Sequence, residues 1–186
     1  MRLLFLFFIV SATSCVSQPI SIDSTTETNA DDIYTMANMY NSGFGAPKDI
    51  DTALKLYEKS AKLGNVNAQL DLGDIYYNGK DVRKNYSKAK YWYEESARGG
   101  NAISQSNLGY MYLNGEGVSV DNKTARHWFG LAVKQGDPAA EYFLGMMYFD
   151  GKGGEKNERE AKLLFKKSCS GGAPMACNKL KDSNLQ

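Results

Sequence analysis

The sequence has little histidine, little cysteine and no surplus of charge of either sign. Its 186 residues include one histidine, His127, and three cysteines. Lysine and arginine number 22 against 21 aspartate and glutamate residues. Because nucleic-acid-binding domains usually carry a basic surplus or a basic stripe, this balance argues against a nucleic-acid partner. The scarcity of histidine and cysteine leaves too few ligands for a zinc site, so we expect no metal and no cofactor.

The short motifs of common active sites are also missing. We find no G-x-S-x-G elbow, no phosphate-binding loop and no paired-carboxylate signature. One S-x-x-K match runs from Ser87 to Lys90, but the S-D-N and K-T-G companions of penicillin-binding enzymes are absent. His127 stands beside Trp128 and has no candidate catalytic partner in the sequence. We therefore expect a protein that is not an enzyme.

The longest apolar run lies at the N-terminus, from Leu3 to Val10 after Arg2. It is shorter than the roughly 20 residues that a membrane-spanning helix needs, and it has the layout of a secretory signal peptide. Small residues then precede Cys15, which resembles the lipobox of bacterial lipoproteins. The resemblance implies a signal peptide over 1–14, an acylated Cys15 and, since Val16 is not aspartate, an outer-membrane destination. The alternative is an ordinary signal peptide cleaved nearby.

Residues 15–29 are polar and rich in serine and threonine, a composition typical of a flexible tether. The remainder of the chain, residues 30–182, repeats with a period of 36 residues through four units. Five ladders keep this spacing without insertion: Gly73/109/145, Tyr40/76/112/148, Gly43/79/115/151, Ala53/89/125/161 and Gly64/100/136/172. A period of this length indicates stacked supersecondary units that bury their apolar faces against one another.

Each unit is predicted to be a helix–loop–helix hairpin. Leu108, Met111 and Tyr112 show helical spacing in the first half of unit three. Asparagine or aspartate precedes both helices and can accept hydrogen bonds from free N–H groups at their starts. The glycines at 79, 115 and 151 are suited to end the first helices in the left-handed conformation. We therefore predict an all-α solenoid of about four 36-residue repeats over 30–64, 65–100, 101–136 and 137–172.

The stretch "LGYMYLNGEGVSVDNKTARHWFGLAVKQG" in unit three resembles the Sel-1-like repeat, with its pattern LGxxYxxGxGVxxDxxKAxxWYxxAAxxG. The period of 36 also separates the chain from tetratricopeptide repeats, whose period is 34. The resemblance covers 30–182 and implies a scaffold or adaptor that binds a partner protein in the groove of the solenoid. One concrete form would be an immunity protein to a periplasmic effector. The alternative is a cell-wall or penicillin-binding protein with weak β-lactamase-like activity.

Variable positions on the first helices are candidates for the partner-binding groove, since the concave face of a solenoid presents an extended surface. They form a stripe that becomes more apolar toward the C-terminus. The candidate residues are Asp74, Tyr77, Tyr110, Leu113, Met146 and Phe149. An aromatic stripe at helical spacing can equally pack between the layers, so groove and core remain alternatives at this stage. We expect a monomer.

Cys169 and Cys177 flank Gly172 near the C-terminus. Residues 174–180 match the start of a fifth first helix, so we predict a C-terminal capping helix, followed by a disordered tail over 183–186. Two antiparallel helix ends can bring the Cα atoms of the cysteines within disulfide range, and the periplasm is oxidising. The spacing also resembles the helix-linking disulfides of cysteine-rich Sel-1-like proteins. We predict a Cys169–Cys177 disulfide that holds the cap on the solenoid.

Overall fold

The computed structural model describes residues 29–182, and these residues form an all-α solenoid of helical hairpins. Nine helices and no strand occur in this range. They are α1 (Ala30–Ser42), α2 (Ile50–Lys62), α3 (Val66–Asn78), α4 (Tyr86–Arg98), α5 (Ala102–Asn114), α6 (Asn122–Lys134), α7 (Pro138–Asp150), α8 (Glu158–Ser170) and α9 (Pro174–Asp182). The predicted fold class, with four hairpins and a capping helix, is confirmed. The proposed signal peptide, Cys15 and the tail over 183–186 lie outside the described residues.

Helix starts follow the predicted caps. Asn65 accepts a hydrogen bond from the Ala68 N–H at 2.7 Å, and Asn85 accepts one from the Lys88 N–H at 3.0 Å. The first eight helices all begin in this way, with Asn29, Asp49, Asn65, Asn85, Asn101, Asp121, Asp137 and Asn157 as caps. Each cap satisfies backbone N–H groups that the first turn leaves free, which explains the 36-residue recurrence of asparagine and aspartate.

The first helix of each unit ends at a glycine in the left-handed conformation, such as Gly79 at φ 67° and Gly115 at φ 74°. These stops are those predicted from the sequence. The second helices end earlier than their glycine ladder, at Lys62, Arg98, Lys134 and Ser170. The ladder glycines stand two residues further on with φ near 90° in three units, where they turn the chain toward the next hairpin.

The glycines inside the first helices make room for aromatic rings of the second helices. A Cβ atom on Gly73 would come within 2.4 Å of the Tyr93 ring, and one on Gly109 within 2.8 Å of the Phe129 ring. The rings at this position are almost fully buried: Tyr57, Tyr93, Phe129 and Phe165. In units two to four a ring seated over glycine fills the interior of the hairpin, whereas unit one has the buried Ala37 in place of the glycine. Protein interiors pack to crystal-like density.

The helices form two layers. Within the stack α3 contacts α5, and α5 contacts α7. Hydrogen bonds also join successive first helices, as from Tyr34 on α1 to Asp71 on α3. The layer whose members touch lies on the inside of the curve, so α1, α3, α5 and α7 line the concave surface. The second helices α2, α4, α6 and α8 form the outer layer.

The stack closes at its C-terminal end with α9, which packs on α8. Cys169 on α8 and Cys177 on α9 form a disulfide with their Cα atoms 4.8 Å apart. The predicted pairing of these two cysteines is confirmed. Ala176 is fully buried beside this crosslink, so the cap covers the apolar end of unit four. In the described range, no helix combines the length and the apolar character needed to cross a membrane.

Candidate partner-binding groove

The concave surface contains an open cavity of about 360 Å³ between units two, three and four. Its walls come mainly from the inner helices α3, α5 and α7, with one ring contributed from α4. The lining residues are Asp74, Tyr77, Asn78, Tyr93, Ser106, Asn107, Tyr110, Ala139 and Phe143. The cavity therefore combines one carboxylate, polar amide and hydroxyl groups, and several aromatic rings. Such a mixture can fix the orientation of a ligand and contribute apolar contact area.

Asp74 is held in place by neighbours on two helices. The Tyr93 hydroxyl donates a hydrogen bond to Asp74 Oδ1 at 2.7 Å, and the Asn107 amide donates to the same oxygen at 3.4 Å. Tyr93 reaches this site from α4 because its ring passes over Gly73. Burial raises the pKa of Asp74, and the hydrogen bond from Tyr93 lowers it, with burial the stronger effect. A half-buried carboxylate thus faces the groove.

A second carboxylate lies one helical turn away. Asp71 Oδ2 accepts a hydrogen bond from the Tyr34 hydroxyl of the preceding unit at 3.0 Å. Burial raises the pKa of Asp71; the hydrogen bond from Tyr34 opposes this rise, and repulsion from Asp74 adds to it. In the same unit as Tyr34, the Tyr57 hydroxyl donates to Asn38 Oδ1 at 2.6 Å. Tyrosine hydroxyls therefore organise the polar part of the groove.

Tyr77 and Tyr110 are half-buried and contribute to the cavity wall. Tyr77 packs against Tyr93 with ring centroids 6.3 Å apart, and its hydroxyl donates to the Glu116 carboxylate. Tyr110 packs edge-on against Phe143 at 5.4 Å. These contacts hold both rings in fixed orientations. Each of the two residues therefore packs against neighbouring rings between the layers and also lines the cavity.

The other predicted groove residues lie outside this cavity. Leu113 packs against the core of units three and four. Phe149 meets the ammonium groups of Lys156 and Lys179 at 5.4 Å and 4.7 Å from its ring centroid, which places it against the capping helix. Met146 is half-buried on the same helix. The structure therefore brings Asp74, Tyr77 and Tyr110 to one cavity, whose lining does not include Leu113, Met146 and Phe149.

Sequence reasoning missed several residues of the groove, among them Tyr93, Asn107 and Phe143 in the cavity wall and Asp71 one helical turn before Asp74. Asp71, Asn107 and Phe143 occupy equivalent positions 36 residues apart, in a ladder three residues before that of Asp74, Tyr110 and Met146. Tyr93 occupies the core position that Phe129 and Phe165 take in later units. The change from phenylalanine to tyrosine was the available signal, because a buried tyrosine hydroxyl usually requires a hydrogen-bond partner.

The S-x-x-K motif does not have the features of a catalytic site. Ser87 is exposed in the first turn of α4. Lys90 Nζ pairs with Glu94 at 2.7 Å, and this hydrogen bond raises the pKa of Lys90. A general base must be deprotonated near neutral pH, so this lysine is poorly suited to activate Ser87. His127 is exposed on α6 beside Trp128, and the described residues contain no cluster able to hold a metal ion.

Comparison with family models matches the Sel1 repeat four times, at residues 31–65, 66–101, 102–137 and 138–172. The chain belongs to the Sel1 repeat family. Each of the four matched units begins one residue later than the corresponding unit predicted from the sequence. Sel1 repeats are protein-interaction scaffolds and are generally not enzymes. No curated protein matches the chain.

Several solved structures are similar to this Sel1-repeat chain. The protective antigen c5321 of uropathogenic Escherichia coli is 32% identical, with a TM-score of 0.79, over 82% of this chain and 32% of its own. A Sel1 repeat protein from Oxalobacter formigenes is 28% identical, with a TM-score of 0.75, over 83% and 63%. The immunity protein Pa5087 from Pseudomonas aeruginosa is 24% identical, with a TM-score of 0.50, over 79% and 54%. The chain thus spans a third of the first relative and under two thirds of the second.

Proposed function

We propose that this chain is a non-enzymatic scaffold, acting as a monomer, that binds a partner protein in the groove of its solenoid. The observation that carries this proposal is the cavity on the inner layer, where Asp74, Tyr77 and Tyr110 meet. Half-buried tyrosines in a groove are typical anchors of protein interfaces. Membership of a family of interaction scaffolds supports the same role.

A pull-down from bacterial envelope extracts tests this function. We expect one protein to be retained by the wild-type chain and lost from a Tyr77→Ala/Tyr110→Ala variant. Because both rings also pack in the core, Ala139→Arg provides a second variant: Ala139 is exposed in the first turn of α7 and lines the cavity, so the new side chain fills it without removing core contacts. Tyr91→Ala is the matched control, since Tyr91 is 54% exposed on the outer layer.

Equal retention by Ala139→Arg and Tyr91→Ala would refute the groove as the binding site. Circular dichroism and thermal melting of each variant distinguish lost binding from lost folding. A specific form of the role is that of an immunity protein to a periplasmic effector. In that case the retained protein should kill cells when it is directed to the periplasm, and co-expression of this chain should protect them. Protection should be lost with Ala139→Arg.

We further propose that the chain is anchored in the cell envelope, on the periplasmic side of the outer membrane, through an acylated Cys15. The support is the apolar run and small residues before Cys15 in the sequence. Incorporation of labelled palmitate should occur in the wild-type chain and disappear in Cys15→Ser. A Cys169→Ser variant should still incorporate the label. Soluble export of unlabelled wild-type protein would instead support an ordinary signal peptide.

A further inference from the structure

Charge is segregated between the two layers of the solenoid, although the chain as a whole is nearly neutral. The inner helices α1, α3, α5 and α7 contain six aspartate and glutamate residues and no lysine, arginine or histidine. The outer helices α2, α4, α6 and α8 contain thirteen lysines and arginines against six acidic residues. Because concave surfaces with charge of one sign focus the field, the groove attracts cations.

Within the inner layer, Asp74 lines the cavity, and Asp71 lies one helical turn before it on α3, close enough for the two charges to interact. Both are half-buried, and their pKa values are raised by burial. Neither carboxylate takes part in the salt bridges seen among the described residues, such as Lys90–Glu94, Glu95–Arg98 and Lys156–Glu158. Two like charges held this close disfavour each other. A cation supplied by a ligand would relieve both the repulsion and the desolvation.

The tyrosine hydroxyls orient the pair for such a ligand. Tyr34 donates to Oδ2 of Asp71, and Tyr93 donates to Oδ1 of Asp74. Each of these bonds uses one carboxylate oxygen and leaves the other to a ligand. Residues three apart on a helix have their Cβ atoms about 5–6 Å apart. One guanidinium or ammonium group can contact both carboxylates across that distance.

The aromatic rings of the cavity complement the same chemistry. Tyr77 and Tyr110 line the cavity beside Asp74. Tyrosine faces attract guanidinium and ammonium groups through cation–π interaction, and rings pack well against the methylene stems of arginine and lysine. Asn78 and Asn107 line the same cavity, and their amides can donate to and accept from a peptide backbone. These amides favour a peptide over a free polyamine.

On the basis of the proposed function, we infer that the groove binds a segment of the partner protein through a basic side chain, arginine or lysine. This side chain lies between the carboxylates of Asp71 and Asp74 and against the rings of Tyr77 and Tyr110. Specificity then comes from positive charge in the partner segment. A partner segment with a neutral or acidic side chain at this place would leave the two carboxylates without a cation.

Fluorescence anisotropy with the full chain tests this inference. The probe is a fluorescein-labelled eight-residue peptide of alternating arginine and serine, and its matched control replaces arginine by citrulline, which keeps the shape and removes the charge. We expect the arginine peptide to bind at least tenfold more tightly than the citrulline peptide. Its affinity should fall at least tenfold in Asp71→Asn/Asp74→Asn, because asparagine keeps one acceptor oxygen for the tyrosine hydroxyl and removes the charge.

The control variant Asp51→Asn/Asp81→Asn changes net charge by the same amount at exposed positions away from the cavity and outside the inner helices. Its affinity for the arginine peptide should stay within twofold of wild type. Equal losses in the two double variants would overturn the inference, since binding would then reflect net charge alone. Tighter binding of spermine than of the peptide, measured by competition, would overturn the choice of a peptide ligand.

The pull-down separates this inference from the proposed function. Retention of the natural partner should be lost in Asp71→Asn/Asp74→Asn and kept in Asp51→Asn/Asp81→Asn. If Ala139→Arg abolishes retention while Asp71→Asn/Asp74→Asn leaves it unchanged, the groove binds a protein, but not through a basic side chain at the two aspartates. If none of these variants affects retention, the proposed groove function itself fails.

Discussion

The groove differs between the first two units and the last two, although both halves have the same helical frame. In the acidic half, residues 30–100, the buried tyrosines Tyr57 and Tyr93 donate hydrogen bonds to Asn38 and Asp74 on the inner surface. In the apolar half, residues 101–172, phenylalanine replaces tyrosine at both equivalent positions, and Tyr110 and Met146 replace the polar acceptors.

One hydroxyl group on the buried ring determines whether the core forms a hydrogen bond with the groove surface. A half-buried carboxylate requires donors, because an unsatisfied polar group in such a place is costly. The tyrosine ring over glycine supplies that donor from within the core. In the apolar half the surface residue needs no donor, so phenylalanine suffices. The two halves therefore share the packing of a buried ring against the first helix, and they differ in the electrostatics of the groove.

The largest effect is expected from a shared packing feature. Gly109→Ala in the apolar half should lower the free energy of unfolding by about 3 kcal/mol, since overpacking of this kind forces displaced side chains. The new Cβ would lie 2.8 Å from the Phe129 ring, and Gly73→Ala in the acidic half would be at least as crowded at 2.4 Å from Tyr93. Thermal or urea unfolding measures both variants.

Gly130→Ala is the matched control for this pair. Gly130 lies within α6, and a Cβ there would meet no atom within 4 Å. Alanine is the better helix former by about 0.5–1 kcal/mol, so this variant should be slightly more stable than wild type. A destabilised Gly130→Ala, or a neutral Gly109→Ala, would contradict the assigned role of the inner-helix glycines.

The next largest effect should be limited to the C-terminal end of the apolar half. Cys169→Ser/Cys177→Ser should destabilise the cap by about 2–3 kcal/mol, because the disulfide closes a short loop and restricts the unfolded chain. Hydrogen exchange should show faster opening of α9 and α8, with little change in α1 to α4, since solenoid units interact chiefly with their neighbours. Treatment of the wild type with a reductant should reproduce the change, and uniform opening of all helices would contradict it.

A smaller effect is expected from removing the Tyr93 hydroxyl, which distinguishes the acidic half from the apolar half. Tyr93→Phe should destabilise the chain by about 1–2 kcal/mol, because a hydrogen bond to a carboxylate is lost while the ring remains. Tyr91→Phe, on the exposed outer layer, should leave stability unchanged. Urea unfolding of the two variants provides the comparison. If Tyr93→Phe were neutral, the hydroxyl would not support Asp74.

The smallest effect concerns the charge of the acidic half, and it is a stabilisation, whereas the preceding variants, their controls aside, are destabilising. Asp74→Asn should stabilise the folded chain at pH 7 by about 0.5 kcal/mol, a small value because solvent partly screens the charge. The raised pKa of Asp74 means that the folded state holds its proton more strongly than the unfolded state. Its contribution to stability is therefore present below the ordinary aspartate pKa and is lost as pH rises.

The advantage of Asp74→Asn over wild type should accordingly shrink as pH falls from 7 toward 4, and thermal melts across this range measure it. Asp49→Asn is the opposite case, because its cap hydrogen bonds with Thr52 lower the pKa of Asp49. The contribution of that charge is present above the ordinary pKa and lost as pH falls. An Asp74→Asn variant less stable than wild type at pH 7 would show that the carboxylate is a structural requirement.

Much of the fold could be predicted from the sequence. The cap residues Asn65 and Asn85, the stop at Gly79 and the pairing of Cys169 with Cys177 all follow from local rules, and the structure confirms them. The site was less accessible. Phe149 and Asp74 belong to the same predicted stripe, yet Phe149 packs toward the capping helix and Asp74 faces the cavity. Sequence spacing identifies a helix face, whereas the way in which the units stack determines which part of that face lines the cavity.

The sequence by itself determined the repeat, the helix limits and the distribution of charge, because periodicity, caps and glycine stops act within a few residues. The tertiary structure alone decided that Tyr93 reaches Asp74 from another helix and that Asp71 and Asp74 share one groove with Tyr77 and Tyr110. These contacts depend on how far one hairpin rotates against the next. That rotation is set by the packing between successive units, as of α4 on α5 and of α6 on α7, a balance of many small contacts across the whole stack.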